Sequence, residues 1–151
     1  MREILFCGKR VDNGEWIEGY YVRLHDSKGH ESHRIYTGYA ETDCGDFYPN
    51  WFEVDPATVG QYAGLLANGK KIFEGHIVKF TESCFRYSYV GVVCFYEGSF
   101  CIKFKGFRGY IFHQIGDKEI WQEMGASGTL SYQYEILGNA YDNPELLEEV
   151  Q

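Results

Sequence analysis

The sequence has only three prolines and two methionines among 151 residues, and it contains no long apolar run. A helix that crosses a bilayer needs about 20 consecutive, mostly apolar residues. The opening residues MREILFCGKR hold an apolar run that is far too short for a secretory signal peptide. These absences predict a soluble chain that resides in the cytoplasm.

The chain also lacks an excess of positive charge. Lys and Arg total 14 and Asp and Glu total 22, so the net charge is 14 − 22 = −8. A protein that binds bare duplex nucleic acid releases phosphate counterions with a cationic surface. The same acidic balance disfavours docking on anionic membranes. Composition therefore argues against both partners, while a local basic patch remains open.

Familiar catalytic and cofactor motifs are missing as well. The sequence contains no GxSxG, no P-loop, no HExxH and no dinucleotide-binding fingerprint. Five cysteines are scattered along the chain without a CxxC pair, at positions 7, 44, 84, 94 and 101. Reduced thiols are the expected state in the cytoplasm. We therefore expect no catalytic residues, no metal and no cofactor, although five Cys and five His leave an unrecognised enzyme open.

Aromatic residues and glycine are abundant: 13 Tyr, 11 Phe, 3 Trp and 18 Gly. Aromatic side chains suit pleated, half-buried surfaces and glycine suits tight turns, so the composition favours β-structure. Thirteen tyrosines exceed what a core uses, because each buried hydroxyl needs a partner. Many should lie at the surface or in an interface, which predicts a homo-oligomer or a protein partner.

Turn signals and short apolar runs divide the first half of the chain. Asn13-Gly14 predicts a hairpin turn that leads into a strand over residues 16–22. Residues 25–33 are interpreted as a polar loop and residues 34–49 as mostly irregular. A further short strand is predicted over residues 51–54.

The second half gives a clearer pattern. Asn68-Gly69 predicts a turn, followed by strands over residues 76–80, 89–96 and 100–104. The last hairpin has two possible registers, with either Glu97-Gly98 or Gly98-Ser99 at the centre of its turn. If Glu97-Gly98 forms the turn, Cys94 and Cys101 face each other. The pair is then either two reduced thiols or a disulfide, and the sequence leaves both states open.

The end of the chain predicts a final strand over residues 131–138 and a short helix over residues 143–150. Asn143 suits the N-cap, Pro144 the first helical position, and Glu145 the positive end of the helix dipole.

Several motifs carry a family resemblance. VGQY at residues 59–62, GL at residues 64–65 and NGKKIFEGHIVK at residues 68–79 resemble the central signature of the YopX family of bacteriophage and prophage proteins. The opening residues 2–6 are similar to the start of that family. The segment EILGNAYDNPELL at residues 135–147 resembles its ending. The resemblance spans nearly the whole chain in the right order.

The resemblance implies one YopX-like domain over residues 1–151 in a bacterial host cell. It implies a mainly β, complex fold in which a bent sheet forms a partly closed barrel, with a short C-terminal helix. It implies no established reaction. Ala63 and His76 depart from the family pattern, which has Thr and Asp there, and we interpret position 76 as serving turn geometry.

Three clusters are candidate sites. His25, His30 and His33 share one segment, and such side chains bind transition metals, although their spacing matches no zinc template. Trp51 and Phe52 are large aromatics beside turn residues and are candidate partner-binding residues. The stretch over residues 103–110 holds three positive charges, and Phe107 or Tyr110 is a candidate for stacking single-stranded bases.

These observations favour a phage-encoded accessory protein that acts by binding protein or by self-assembly. A nucleic-acid-associated protein that uses the local basic patch is the second hypothesis. An unrecognised enzyme is the third.

Overall fold

A computed structural model describes residues 1–83, 86–116, 119–123, 126–130 and 132–148, and for residues 119–123 and 126–130 it describes the backbone alone. The chain divides into two compact units, Met1–Tyr62 and Ala63–Gln151. The prediction of a single domain over residues 1–151 stays a prediction. Cys84, Ser131, Glu149 and Val150, named in the sequence predictions, lie outside the described residues.

The first unit is built from antiparallel strands. Their bounds are β1 Phe6–Lys9, β2 Trp16–His25, β3 Glu31–Glu41, β4 Phe47–Glu53 and the start of β5, Gly60–Ala67. The spatial order is β4-β3-β2-β1-β5. A 3-10 helix, Pro56–Thr58, precedes β5, and the Asp55 side chain accepts a hydrogen bond from the N–H of Ala57 at its start. The predicted Asp55-Pro56 turn is thus a short capped helix.

The predicted hairpin at Asn13-Gly14 is confirmed, because it joins β1 to β2 and Gly14 has a φ of +72°. Two interpretations of the next segment are wrong. Residues 25–33 do not form one loop, since His25 ends β2 and His33 lies within β3. Residues 34–49 are mostly strand rather than irregular.

A compact polar turn explains the first correction. The Asp26 carboxylate accepts hydrogen bonds from the N–H groups of Lys28 and His30, each 2.8 Å long, and Gly29 adopts a φ of +83°. Asp side chains stabilise turns by bonding backbone two or more residues ahead. The five residues 26–30 therefore suffice to join the strands, and the flanking His25 and Glu31 pair across them.

Ile35 and Val54 are the most deeply buried apolar side chains of the first unit. Two glycines allow the backbone to approach them. A Cβ on Gly19 would lie 2.1 Å from the carbonyl oxygen of Tyr36, and one on Gly8 would lie 3.1 Å from Ile35 Cδ1. Only glycine fits position 19 without a shift of the neighbouring strand.

The second unit holds the rest of β5 and the later elements. These are β6 Lys70–Phe73, β7 His76–Glu82, β8 Ser88–Tyr96, β9 Ser99–Gly106, β10 Gly109–Gln114, β11 Glu119–Glu123, β12 Ala126–Leu130, β13 Tyr132–Asn139 and α1 Glu145–Glu148. Five of them form an antiparallel sheet in the order β10-β9-β8-β7-β13. The predicted strands over residues 76–80, 89–96 and 100–104 correspond to β7, β8 and β9.

Buried residues of β5 to β9 form the apolar core of the second unit. The cluster contains Ala67, Ile72, Val78, Phe80, Val93, Ile102 and Phe104. Within the five-stranded sheet, period-two alternation places Val78, Phe80, Val93, Ile102 and Phe104 on one face. The predicted apolar face of β8 and β9 is thereby confirmed, with Val93 opposite Ile102 and Phe95 opposite Phe100.

The predicted Asn68-Gly69 turn is confirmed, and of the two registers left open at residues 97–99 the structure has Glu97-Gly98 at the turn. Asn68-Gly69 has φ values of +50° and +79°, and Glu97-Gly98 has +45° and +85°. Two positive φ values in succession define the hairpin turn whose twist matches the strands. Tyr96 pairs with Ser99, so Glu97-Gly98 is the turn and Cys94 faces Cys101.

The mainly β fold with one short C-terminal α-helix is confirmed. The partly closed barrel is corrected: in the described residues neither large sheet closes, and β10 and β13 each pair with one neighbour only. Closure requires the first and last strands of a sheet to pair. None of the described helices has the length and apolar character to cross a membrane.

Candidate interaction site

Aromatic side chains line the outer face of β2, β3 and β4 in the first unit. Cross-strand register aligns Tyr20 with Tyr36 and Tyr36 with Trp51. A bulge between Tyr36 and Gly38 shifts the register by one residue, so Tyr39 rejoins this face opposite Pro49. We call the set Tyr20, Tyr36, Tyr39, Phe47 and Trp51 the aromatic face.

Most of these rings are open to solvent. Relative exposure is 71% for Tyr39, 69% for Phe47, 57% for Tyr20 and 38% for Trp51. Neighbouring rings contact one another, with centroids 5.8 Å apart for Tyr36 and Tyr39 and 6.4 Å apart for Tyr20 and Tyr36. Ring–ring packing at these distances fixes the side chains without covering them.

Arg34 completes the aromatic face. Its guanidinium carbon lies 5.5 Å from the centre of the Trp51 ring, which is a cation–π contact. Its Nε is buried and has no hydrogen-bond acceptor among the described residues. Buried donors in native proteins nearly always have an acceptor.

The two predicted partner-binding residues lie on opposite faces of β4. Trp51 belongs to the aromatic face, while Phe52 pairs with buried Ile35 on the inner face. The Arg10 guanidinium stacks over the Phe52 ring at 3.9 Å, and Asp12 holds Arg10 through a 2.6 Å ion pair. Phe52 therefore contributes to packing, because successive residues of a strand point to opposite sides.

The three candidate metal-binding histidines are divided between two clusters. His25 and His33 both contact the Glu31 carboxylate, with Nε2–O distances of 3.4 and 2.7 Å. His30 instead pairs with Asp26 inside the turn, at 2.8 Å. Among the described residues no group of three or more His, Cys, Asp or Glu side chains is arranged to hold a metal ion.

Glu31 is the centre of a hydrogen-bonded chain. The Arg23 guanidinium donates to Glu31 at 2.8 Å, and this contact lowers the pKa of the Glu31 carboxyl below its ordinary value. His33 contacts Glu31 through Nε2 and is hydrogen-bonded to the Tyr21 hydroxyl through Nδ1. A carboxylate only accepts, so Nε2 carries the proton and Nδ1 of a neutral His33 accepts from Tyr21. These hydrogen bonds fix the tautomer and orientation of His33.

A second surface involves the basic stretch over residues 103–110. Its side chains alternate across β9, so Phe104 is in the core while Lys103 and Lys105 are exposed. Phe107 lies in the β9–β10 turn and is fully exposed, and Tyr110, the second residue of β10, is 66% exposed. The stretch is therefore divided among core, turn and outer face.

The predicted opposition of Cys94 and Cys101 is confirmed by the register, and both thiols are free. Burial raises the pKa of each thiol above its ordinary value. A raised pKa lowers the fraction of reactive thiolate at neutral pH.

Sequence reasoning missed Tyr20, Tyr36, Tyr39 and Phe47 as a set. The tyrosine excess was the sequence signal for such a surface. Strict alternation would place Tyr36 and Tyr39 on opposite faces, and only the bulge in β3 brings them to the same face. A bulge adds one residue to one strand, and its position depends on the partner strand.

Comparison with known sequences identifies the relationship of the chain. The sequence model of the family described as YopX protein matches residues 6–148. Neither curated proteins nor solved structures gave a match. A match over nearly the full length shows kinship across both compact units, so the chain belongs to the YopX protein family.

Proposed function

We propose that this protein acts by binding rather than by catalysis, and that its aromatic face pairs with a second copy of the chain. Kinship with the YopX family supports an accessory role in a bacteriophage or prophage. The observation that carries the proposal is the exposed aromatic face with Arg34 beside Trp51. Trp, Tyr and Arg are the residue types that dominate binding energy at protein interfaces.

The face of the sheet is better suited to association than its edge. β4 is the end strand of the first unit and carries Pro49 at its middle. Proline has no backbone N–H, and natural proteins use it on edge strands to prevent edge-to-edge pairing. Partners therefore meet through the side chains of the aromatic face.

Charge supports a second copy as the partner. Arg34 lies directly opposite Glu53 in the register, and Glu53 is exposed on the same face. In a two-fold dimer each face presents both groups, so an arrangement in which Arg34 of one copy meets Glu53 of the other forms that ion pair twice. A planar guanidinium binds a carboxylate through two hydrogen bonds when the geometry is good.

The test is the oligomeric state in solution. Light scattering at about 100 μM protein should give the mass of a dimer. This concentration is the threshold because weaker association has little consequence in a cell. Replacing both Tyr39 and Trp51 with Ala should weaken association by about tenfold or more, since truncation of interface anchors commonly costs over 1 kcal/mol.

Tyr48→Ala is the matched control. Tyr48 is 49% exposed on the same strand but has the opposite parity to Trp51, so its removal should leave association unchanged. A monomer at about 100 μM contradicts the proposal. An equal loss with Tyr48→Ala contradicts the assignment to the aromatic face.

A further inference from the structure

Lysines and aromatic rings alternate on the outer face of β8, β9 and β10 in the second unit. Lys103 lies opposite Phe112, and Lys105 lies opposite Tyr110. Tyr96 of β8 stacks on Phe112, with centroids 4.0 Å apart and planes 13° from parallel. We call Tyr96, Lys103, Lys105, Tyr110 and Phe112 the lysine–aromatic face.

The cations and rings of this face are accessible. Lys103 and Lys105 are exposed, and Tyr110 and Tyr96 are 66% and 43% exposed. The Lys103 Nζ lies 4.3 Å from the centre of the Tyr110 ring and 6.0 Å from that of Phe112. This contact holds the ammonium beside the rings, where a ligand with negative charge and flat apolar groups meets both at once.

Local charge on β9 and β10 is opposite to that of the whole chain. Residues 99–116 contain Lys103, Lys105 and Arg108 and no Asp or Glu, so this segment carries +3 in a chain of net charge −8. Charges separated by less than a Debye length of about 10 Å reinforce one another. The segment therefore attracts a polyanion although the molecule as a whole does not.

A groove of about 340 Å³ adjoins the lysine–aromatic face, lined by Val92, Lys103, Lys105, Tyr110 and Leu147 among others. Its volume falls at the low end of small-ligand pockets, which begin near ~300 Å³. Leu147 belongs to α1, whose Glu145 and Glu148 are exposed. A polyanion is repelled on the helix side and is directed toward the lysines.

We propose that the lysine–aromatic face binds single-stranded nucleic acid. Unpaired bases stack on Tyr110, and the phosphates contact Lys103, Lys105 and Arg108. Aromatic side chains bind any base through its flat face, and basic residues follow the backbone. In a duplex the bases are already stacked on one another and do not reach such rings.

Salt dependence tests the role of the cations. Fluorescence anisotropy with labelled oligo(dT) and oligo(rU), from 20 to 200 mM salt, measures the slope of log affinity against log salt. Three phosphate contacts predict a slope of about −2, and K103Q/K105Q should reduce its magnitude by about 1.4. Binding of either the DNA or the RNA strand supports the proposal.

The double substitution K28Q/K70Q is the control for net charge. Both lysines are exposed and lie outside the lysine–aromatic face, so the change in total charge is identical. Affinity and slope should stay near those of the native chain. An equal loss in the control overturns the proposal, as does absence of oligonucleotide binding at 20 mM salt.

Stacking is tested with two tyrosines of similar exposure. Tyr110→Ala should weaken oligonucleotide binding by about 5- to 100-fold, the range for loss of one stacked base. Tyr39→Ala removes a ring that is 71% exposed on the aromatic face and should leave oligonucleotide binding unchanged. If Tyr110→Ala has no effect and heparin binds equally well, base stacking is excluded.

The two proposals fail independently. Substitutions at Lys103, Lys105 or Tyr110 should leave the light-scattering mass unchanged. Substitutions at Tyr39 and Trp51 should leave oligonucleotide affinity unchanged. Thermal melting of each variant identifies any that fails to fold. Tyr110→Phe keeps the ring, so it should bind oligonucleotide about as well as the native protein, unlike Tyr110→Ala.

Discussion

Gly75 links β6 to β7 with a φ of +85°, a conformation that L-residues other than glycine adopt at a cost of about 1–2 kcal/mol. A Cβ there would also lie 3.0 Å from Tyr141 Cε2. We expect Gly75→Ala to lower the free energy of unfolding by about 1–2 kcal/mol, and Gly75→Val by more, because valine is branched at Cβ. Denaturant unfolding measures both.

Gly29→Ala separates the two causes. Gly29 has a nearly equal φ of +83°, and an added Cβ meets nothing within 4 Å. Its cost should be that of the backbone alone. A Gly75→Ala cost no larger than that of Gly29→Ala would show that Tyr141 moves aside freely.

His76 also acts at this turn, and its chemistry predicts a pH effect. Its Nδ1 accepts a hydrogen bond from the N–H of Phe73 at 3.2 Å, and burial lowers the pKa of His76 below the ordinary 6.5. Between that value and the lower pKa of the folded state, the unfolded chain binds more protons. The contribution of His76 to stability is therefore present above about pH 6.5 and is lost as the pH falls through the folded pKa.

We expect His76→Asn to reduce the loss of melting temperature between pH 7.5 and 5. Asn keeps a side-chain acceptor and does not titrate. If the melting temperatures of the native protein and of His76→Asn fell by the same amount across this pH range, the role of His76 would be contradicted.

At the scale of elements, the C-terminal segment corrects one prediction. The Asn143 side-chain oxygen accepts a hydrogen bond from the N–H of Asn139 at 3.3 Å, so it does not cap α1. It lies where a side chain on Gly138 would sit, with a Cβ at that position only 2.5 Å from Asn143 Oδ1. Asn143 thus fixes the turn between β13 and α1 rather than the helix itself.

Asn143→Ala should cost about 0.5–1.5 kcal/mol, the net value of one hydrogen bond. Leu146 and Leu147 are half-buried while Glu145 and Glu148 are exposed. Removal of residues 143–151 should therefore lower the melting temperature further than Asn143→Ala does. An unchanged melting temperature after this deletion would mean that α1 does not stabilise the second unit.

At the scale of the whole molecule, the sequence predicts one domain while the contacts define two compact units. β5 begins in the first unit, where Gly60 and Gln61 pair with β1, and its later residues belong to the second. A chain of this length usually unfolds in one cooperative step. We expect one calorimetric transition whose calorimetric and van't Hoff enthalpies agree.

Two resolved transitions would contradict that expectation and would make each unit a domain. Gly19→Ala, which places a Cβ 2.1 Å from the Tyr36 oxygen, destabilises the first unit specifically. If unfolding is cooperative, this substitution lowers the single transition as a whole. If it is not, only one of two transitions moves.

Local chemistry let the sequence determine the fold class, the hairpin turns and the family. An Asn-Gly pair accepts two positive φ values at little cost, so the Asn68-Gly69 turn is readable from neighbouring residues alone. The choice between the two registers at residues 97–99 needed the strand pairing, because both kept the same apolar face.

Only the tertiary structure decided which residues share a surface. Trp51 and Phe52 are adjacent in sequence yet lie on opposite faces, and His30 is separated from His25 and His33 by a turn around Asp26. Tyr39 joins Tyr36 through a bulge, and Lys103 meets Tyr110 across two strands. Each outcome depends on the register between strands, which long-range packing sets. A slip of the register by one residue would move every side chain of a strand to the opposite face.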